Sequence, residues 1–280
     1  MLLITGANGQ LGRCLHDLLG EKNVLYTDAA ELDITNAQAV RTFGAAHPLT
    51  GIINCAAYTN VDKAEDEPAL ARKINAEGPA NLADLAAAQN IPLIHISTDY
   101  VFDGTAHSPL PENASVNPLG VYGKTKQEGE KEVLARATTA VIIRTAWLYS
   151  PYGKNFLKTM AALGAQKDEL RVVADQFGTP TYAPHLAQAV LKILPQIKTG
   201  QKEIYHFTDE GAATWYDFAH YILKNLQSPC CVLPITTREY PTKATRPAFS
   251  VLDKSKIKQA FNLNIPHWTQ GVEECLTKLF

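Results

Sequence analysis

The sequence predicts an α/β protein with a doubly wound parallel sheet, followed by a smaller C-terminal lobe. Over the first 145 residues, short β-branched or apolar runs alternate with longer helical patterns, as parallel strands joined by crossover helices require. After Trp147 prolines recur and the alternation becomes irregular. We therefore expect one domain over residues 1–145, completed by segments around 171–204, and a second lobe built mainly from residues 146–280.

Five strands are predicted in the first domain because each is a short apolar or β-branched run bounded by turn residues. In chain order they are Leu2–Thr5, Val24–Tyr26, Gly51–Asn54, Leu93–Ser97 and Ala140–Arg144. Leucines recur at helical spacing between the strands, for example at Leu11, Leu15 and Leu18. The strands and helices thus alternate as a doubly wound sheet requires.

Composition excludes several classes of protein. The chain has 280 residues, of which 46% are hydrophobic, and this is too apolar for a disordered chain. Its 26 basic and 28 acidic side chains give a net charge of −2, so no nucleic-acid partner is expected. No apolar stretch approaches the roughly 18 residues of a membrane span, and the N-terminus does not read as a signal peptide. We expect a cytoplasmic protein that does not bind membranes.

The five cysteines do not form a recognisable site. They are odd in number and show neither C-x-x-C nor paired Cys/His spacing. We expect reduced, mostly buried side chains and assign no metal ligands among them.

A glycine-rich turn follows the first strand and opens the first helix. Gly6, Gly9 and Gly12 have the spacing G-x-x-G-x-x-G, with Gln10 and Leu11 between the last two. In this position such glycines allow a tight turn, close approach of a pyrophosphate and close helix packing, with the phosphate at the helix N-terminus. A purely steric need for glycine is the alternative. The context favours a dinucleotide site in a Rossmann-type fold.

Further cofactor contacts are predicted after the second and third strands. Asp28 stands where an acidic side chain hydrogen-bonds the adenosine ribose, which favours NADH over NADPH, although it could be an ordinary turn aspartate. Asp33 could reach the adenine or cap the next helix. Small residues follow the third strand and either leave room for the nucleotide or pack on a helix. Asn75 is polar within a core-facing helix, and we expect it to bond the backbone of an adjacent strand.

The most informative stretch contains Tyr122 and Lys126. Residues four apart share one helix face, so a phenol lies beside an ammonium group that would lower its pKa and ease proton donation. Thr98 ends the fourth strand, where a hydroxyl faces the ligand crevice of a doubly wound sheet. Taken alone, the Tyr/Lys spacing also occurs by chance on solvated helices.

Together these motifs resemble the extended short-chain dehydrogenase/reductase family. Narrower features resemble the branch that reduces the C4 ketone of dTDP-linked 6-deoxysugars, with dTDP-β-L-rhamnose as the expected product. They include Ser97–Gly104, Val121–Lys126, Arg144–Tyr149, Asn155-Phe156, Asp175–Thr181, Tyr205-His206 and Arg246–Leu252. The resemblance implies NADH or NADPH as cofactor and a dTDP-sugar as substrate, and makes residues 146–280 mainly a substrate-binding lobe.

The resemblance also implies roles for individual residues. Thr98 would orient the keto oxygen, Tyr122 would donate the proton, and Lys126 would bond the nicotinamide ribose. The implied cofactor contacts are Gly6, Gly9, Gln10, Leu11, Gly12, Asp28, Asp33, Ile34, Ala56, Ala57, Tyr58, Tyr100, Tyr122 and Lys126. The implied substrate contacts are Thr98, Asp99, Trp147, Asn155 and Arg246. For Trp147 and Arg246 the alternatives are core packing and a surface ion pair.

Other functions compatible with these motifs stay open. They are another nucleotide-sugar 4-ketoreductase or epimerase, and a non-catalytic regulatory subunit that binds a dinucleotide. Dehydration is disfavoured because Tyr100 stands where related dehydratases carry glutamate. Some relatives form magnesium-linked dimers, but Glu273 and Glu274 have the spacing of a solvated helix face, so Mg²⁺ is not assigned. We expect a monomer or a homodimer.

Overall fold

A six-stranded, fully parallel sheet forms the centre of the protein in a computed structural model that describes residues 1–280. The strands are β1 Leu2–Thr5, β2 Val24–Thr27, β3 Gly51–Asn54, β4 Leu93–Thr98, β5 Ala140–Thr145, β6 Leu148–Tyr149, β7 Glu169–Val173, β8 Phe177–Gly178, β9 Thr181–Tyr182, β10 Lys202–His206, β11 Ala213–Thr214 and β12 Cys231–Ile235. The helices are α1 Gln10–Leu19, α2 Ala37–Ala46, α3 Val61–Ala64, α4 Pro68–Arg72, α5 Gly78–Gln89, α6 Val121–Arg136, α7 Phe156–Gly164, α8 Ala183–Ile193, α9 Trp215–Asn225, α10 Ser255–Phe261 and α11 Trp268–Leu279. No helix is both long and apolar enough to cross a membrane.

The order of strands in the central sheet is β10-β5-β4-β3-β1-β2. The strand order reverses between β1 and β3, because the chain goes from β1 to β2 on one side and then to β3 on the other. Ligands of doubly wound sheets bind at the carboxyl ends of the strands at such a switch point. The fold therefore places the crevice beside the glycine turn that follows β1.

The predicted fold class and the five predicted strands are confirmed. β1 and β3 have the predicted bounds, and β2, β4 and β5 each continue by one threonine. β3 and β5 are buried along their whole length, as strands covered by helices on both faces must be.

The chain returns to the central sheet after leaving it. Helix α8 packs on α1, and β10 pairs with β5 at the edge of the sheet. Strand β7 does not join this sheet. It lies parallel to β12, so residues 171–173 of the segment expected to complete the first domain belong with the second lobe. The boundary at residue 145 stays a prediction.

Three large hydrophobic clusters hold the layers together, and a small fourth one lies around Phe102. One joins the sheet to α1, α8 and α10, and a second joins the opposite face of the sheet to α5 and α6. The third lies in the second lobe, around Phe218 and Trp268. Gln10, at the start of α1, donates to the carbonyl oxygen of Leu148, so the second lobe lies against the carboxyl edge of the sheet.

Candidate active site

The glycine turn after β1 is shaped for close backbone approach. Gly6 has a φ of +67°, and a Cβ atom there would lie 2.6 Å from the backbone nitrogen of Ala56. A Cβ atom on Gly12 would lie 2.5 Å from the carbonyl oxygen of Gly6. Gly9 precedes α1 without a side-chain cap, and the first turn of α1 carries no acidic residue. The leading N–H groups of α1 are therefore available to a phosphate, and these residues fit a dinucleotide.

Asp28 lies directly beside this turn. Its Oδ2 accepts a hydrogen bond from the backbone N–H of Asn8 at 3.1 Å, which ties the end of β2 to the glycine turn. Asp33 instead accepts hydrogen bonds from the backbone and hydroxyl of Thr35, which lower the pKa of its carboxyl group. Ile34 is 6% exposed and packs against Gly78. Asp28 thus lies beside the glycine turn and its contact with a ribose stays a prediction, whereas Asp33 and Ile34 shape the adjoining loop.

Asn75 holds the loop that follows β3 in place. It lies in a π-helical turn over Lys73–Glu77 and is fully buried. Its amide accepts from the N–H of Tyr58, and donates to the Tyr58 carbonyl and to the hydroxyl of Thr125. The predicted structural role is confirmed, although the bonded backbone belongs to the loop after β3 rather than to a strand. Asn75 therefore links the Ala56–Tyr58 loop to α6.

Thr98, Tyr122 and Lys126 meet at the carboxyl end of β4. Thr98 ends this strand, Tyr122 lies in the first turn of α6, and Lys126 lies one turn later. The rings of Tyr100 and Tyr122 meet edge to face with centroids 5.4 Å apart. Lys126 is 2% exposed, and its Nζ donates to the carbonyl oxygen of Ile96 at 2.7 Å. A hydroxyl, a phenol and an amine thus surround the place where a carbonyl group would react.

The pKa of Tyr122 differs from the prediction. Burial raises the pKa of Tyr122 to about 12, with a further rise from Asp99 and a partial offset from its hydrogen bond with Thr98. The expected lowering of the Tyr122 pKa is not found, because desolvation of the phenol dominates and Lys126 is not among the groups that shift this pKa. Burial lowers the pKa of Lys126 to about 8. Tyr122 therefore holds its proton at neutral pH.

Asp99 is a buried carboxyl group next to Thr98. Its Oδ1 accepts from the Thr98 hydroxyl at 3.1 Å, while its buried Oδ2 has no hydrogen-bond partner. Burial raises the Asp99 pKa to about 6. Asp99 is 2% exposed, and a buried oxygen without a hydrogen-bond partner lowers the stability of the fold. Such groups are concentrated at functional sites.

The second lobe brings Trp147 to the crevice in a strained conformation. Its φ of +48° is rare for a large side chain, and strain of this kind clusters at functional sites. The Trp147 indole stacks on Trp215 with ring centroids 3.6 Å apart and planes 11° from parallel. A Cβ atom on Gly178 would lie 2.7 Å from the same indole. Packing against the lobe thus fixes the orientation of Trp147.

Comparison with known proteins places this arrangement in a family. The family model described as RmlD substrate binding domain matches residues 1–280. This chain belongs to that family. The resemblance to extended short-chain dehydrogenase/reductases is thereby confirmed.

Individual members of the RmlD family are similar over their whole length. The chain is 44% identical to a dTDP-4-dehydrorhamnose reductase of Aggregatibacter actinomycetemcomitans, with 97% of each chain covered. A crystal structure of a dTDP-4-dehydrorhamnose reductase from Clostridium acetobutylicum matches with 45% identity, a TM-score of 0.95 and 99% of each chain covered. The Bacillus anthracis enzyme, solved in complex with NADP, matches with 38% identity and a TM-score of 0.94, covering 99% of this chain and 98% of that one.

Two predicted substrate residues of this RmlD-family chain already have protein partners. Asn155 caps α7, and its amide donates to Gln10 and to the carbonyl groups of Ser150 and Tyr152. Arg246 forms a two-pronged ion pair with Asp62, at 2.8 and 3.2 Å. Asn155 thus joins α1 to the second lobe, and Arg246 joins the second lobe to α3. Their contact with substrate stays a prediction.

Sequence reasoning missed several residues that build the site. Trp215 supports Trp147, Asp62 holds Arg246, and Glu65 accepts from the backbone N–H of Val121 at the start of α6. Each lies tens of residues from its partner, so spacing gives no sign of the contact. The start of a helix is usually signalled by a side-chain acceptor in the residue just before it. At α6 the acceptor is Glu65, which comes from a distant part of the chain, so the sequence around α6 does not show this signal.

Two predictions made outside the site can be compared with the structure. All five cysteines are free, and Cys14, Cys230 and Cys275 are buried, whereas Cys231 is exposed. The interpretation of Glu274 as part of a solvated helix face is wrong in part. Its carboxylate pairs with the buried His185, which also contacts Asp209.

Proposed function

We propose that this protein reduces the C4 ketone of dTDP-4-dehydro-β-L-rhamnose with NADH or NADPH and yields dTDP-β-L-rhamnose. The observation that carries the proposal is the meeting of Thr98, Tyr122 and Lys126 at the carboxyl end of β4, beside the glycine turn. The names of relatives at 44 and 41% identity supply the substrate. The reaction would complete dTDP-rhamnose synthesis.

The roles of the chain's own groups follow from their protonation and position. The chemistry that a reduced nicotinamide would supply here, once bound, is a hydride for C4. Thr98 would turn its single O–H from Asp99 Oδ1 to the C4 oxygen, where negative charge develops. Tyr122 gives its phenolic proton to that oxygen and completes the alcohol. A Tyr122 pKa of about 12 keeps the proton on the phenol until the oxygen becomes basic enough to take it.

Lys126 would hold the nicotinamide ribose. Its Nζ is fixed by the Ile96 carbonyl and keeps further N–H donors that are not used in that bond. Because the amine is 2% exposed, its bonds to ribose hydroxyls would form without competition from bulk water. Lys126 would thus help to set the position of the nicotinamide relative to Tyr122.

The remaining predicted contacts would bind the sugar nucleotide. Trp147 offers a flat apolar face to the deoxysugar ring, and Asp99 can accept a hydrogen bond from a sugar hydroxyl through its unpartnered Oδ2. Arg246 keeps guanidinium donors beyond those that bind Asp62, and these suit the diphosphate. We place the enzyme in the cytoplasm, where free cysteines persist.

The test supplies the purified protein with the 4-keto-6-deoxy-L-sugar nucleotide and NADH or NADPH. We expect oxidation of the cofactor and a rhamnose product identified by NMR. Tyr122→Phe should lose about 10²–10⁴-fold in kcat while still binding the reduced cofactor. Tyr26→Phe is the control, since this phenol only bonds the Gly20 carbonyl at the far edge of the sheet.

Two outcomes would contradict the proposal. The absence of cofactor oxidation by the wild-type protein with this substrate would refute the reaction. A talose product would retain the reductase but refute the assigned stereochemistry at C4.

A further inference from the structure

A buried ion pair lies beneath the catalytic helix. Glu130 is on α6, one helical turn after Lys126, and Arg144 is on β5. The Arg144 guanidinium donates to both carboxylate oxygens of Glu130, at 2.8 and 2.7 Å. The Ser97 hydroxyl adds a third hydrogen bond at 2.6 Å. The three residues are only 3–4% exposed, so the carboxylate is fixed in one place and shielded from water.

Such a pair is expensive to bury. Desolvation of two charges often cancels their attraction, and an apolar pair of similar volume is frequently as stable. Because an ion pair of this kind contributes little net stability, we expect a second role of the Glu130 charge besides the link between α6 and β5. The neighbouring Lys126 is the group on which that charge can act.

Apart from the Arg144 cation that is bound to Glu130, the other titratable groups around Lys126 are neutral. Burial raises the pKa of Cys55, in the loop after β3, to about 12, so its thiol carries no charge. Burial and Lys126 itself lower the pKa of His95, on β4, well below its ordinary value. On α6, Tyr122 keeps its proton. Glu130 is left as the anion that acts on the Lys126 amine, and it opposes the effect of burial.

We propose that Glu130 is a positioning residue for the reaction, which keeps the buried Lys126 amine in its ammonium form, while Arg144 and Ser97 hold the Glu130 carboxylate in place. This inference rests on the proposed reductase function. An ammonium group has three N–H donors, so it can bond Ile96 and still donate twice to ribose hydroxyls. Loss of its proton removes a donor and the positive charge beside Tyr122.

The experiment compares pH profiles of kcat/KM for the wild-type enzyme and Glu130→Gln, which keeps the shape of the side chain and removes its charge. We expect the alkaline limb of the Glu130→Gln profile to shift to lower pH by about one unit, because the Lys126 ammonium loses the anion that stabilises it. Activity should then fall about tenfold at the alkaline end and stay within about twofold at the acidic end. Glu132→Gln, which removes an exposed charge from the same helix, should leave the profile unchanged.

A double variant distinguishes the effect of the lost charge on the pH profile from its effect on protein stability. Glu130→Gln leaves Arg144 buried without a counter-charge and is expected to lower the melting temperature. Glu130→Gln/Arg144→Met removes both charges, so it should recover stability while its alkaline limb stays shifted. If folded Glu130→Gln has the wild-type limb, or loses activity equally at every pH, the proposal is overturned.

A measurement without turnover keeps the two proposals distinct. NMR of protein labelled with ¹³C at lysine Cε follows the titration of Lys126, whose signal is assigned by its loss in Lys126→Met. We expect the titration to move to lower pH in Glu130→Gln. A wild-type protein that does not reduce the sugar refutes the proposed function, whereas an unmoved Lys126 titration refutes the role of Glu130.

Discussion

Substitution of Gly123 by alanine should damage the active site through a single steric contact. Gly123 lies next to Tyr122 in the first turn of α6, and a Cβ atom there would be 2.1 Å from the carbonyl oxygen of Tyr100 and 2.9 Å from the Cβ of Pro118. Neither neighbour is the flexible end of a side chain. Helix α6 must therefore move away by about 1 Å to restore an ordinary contact distance.

The size of the effect follows from that displacement. Overpacking of this kind costs about 1–3 kcal/mol of the free energy of unfolding. A shift of about 1 Å between Tyr122 and Thr98 is expected to cost about 10²-fold in kcat/KM, because the reacting groups leave their productive geometry. The activity loss should thus exceed what the loss of folded protein explains at moderate temperature.

Two other glycines provide controls. A Cβ atom on Gly129 would lie 2.1 Å from the Asn75 carbonyl oxygen, so Gly129→Ala has an equal clash nearly two turns farther along α6. Gly51→Ala, in β3, meets its nearest neighbours at an ordinary 3.5 Å. Urea unfolding and steady-state kinetics should show a loss of stability for both α6 variants, with the larger loss of kcat/KM in Gly123→Ala. Full activity of folded Gly123→Ala would refute the reasoning.

Two carboxylates give further predictions. Asp28→Asn should shift the ratio of kcat/KM for NADH to kcat/KM for NADPH about tenfold towards NADPH, since repulsion between the carboxylate and each charge of a 2′-phosphate at about 5 Å is about 0.8 kcal/mol in water; an unchanged ratio would show that Asp28 does not face the ribose. Burial raises the folded-state pKa of Asp99 to about 6, so its contribution to stability is lost as the pH rises from about 4 to 6. Asp99→Asn should therefore gain about 2–3 kcal/mol relative to wild type between pH 4 and pH 7.5 in urea unfolding, and an equal difference at both pH values would contradict the burial argument.

Local patterns in the sequence were sufficient for five of the six strands of the central sheet. The strands β1 and β3 were placed to the residue because each is an apolar run that ends where turn or small residues begin. The glycine turn was predictable for a related reason, since its spacing lies within a single βα unit, although the backbone that excludes a Cβ atom at Gly6 is that of Ala56 after β3. Strand β10 was not predicted, because it reaches the sheet only after the chain has passed through part of the second lobe.

The catalytic pair shows where spacing stops being informative. The four-residue interval correctly places Tyr122 and Lys126 on consecutive turns of α6. It contains no information about burial, which raises the Tyr122 pKa and lowers that of Lys126. Burial depends on β4 and on the loop after β3, and both are distant in the sequence. The direction of the tyrosine shift therefore required the three-dimensional structure.

Short connections between distant segments determine the geometry of the site. In and just after α3, Asp62 binds Arg246, and Glu65 three residues later accepts from the first N–H of α6. One short segment thus joins the predicted diphosphate contact to the helix that carries Tyr122. On the other side of the crevice, Gln10 accepts from Asn155 and so ties the cofactor helix to the second lobe. Because α1 packs in the first cluster and α7 in the cluster of the second lobe, this connection fixes the glycine turn relative to the second lobe at the boundary between two clusters rather than inside either of them.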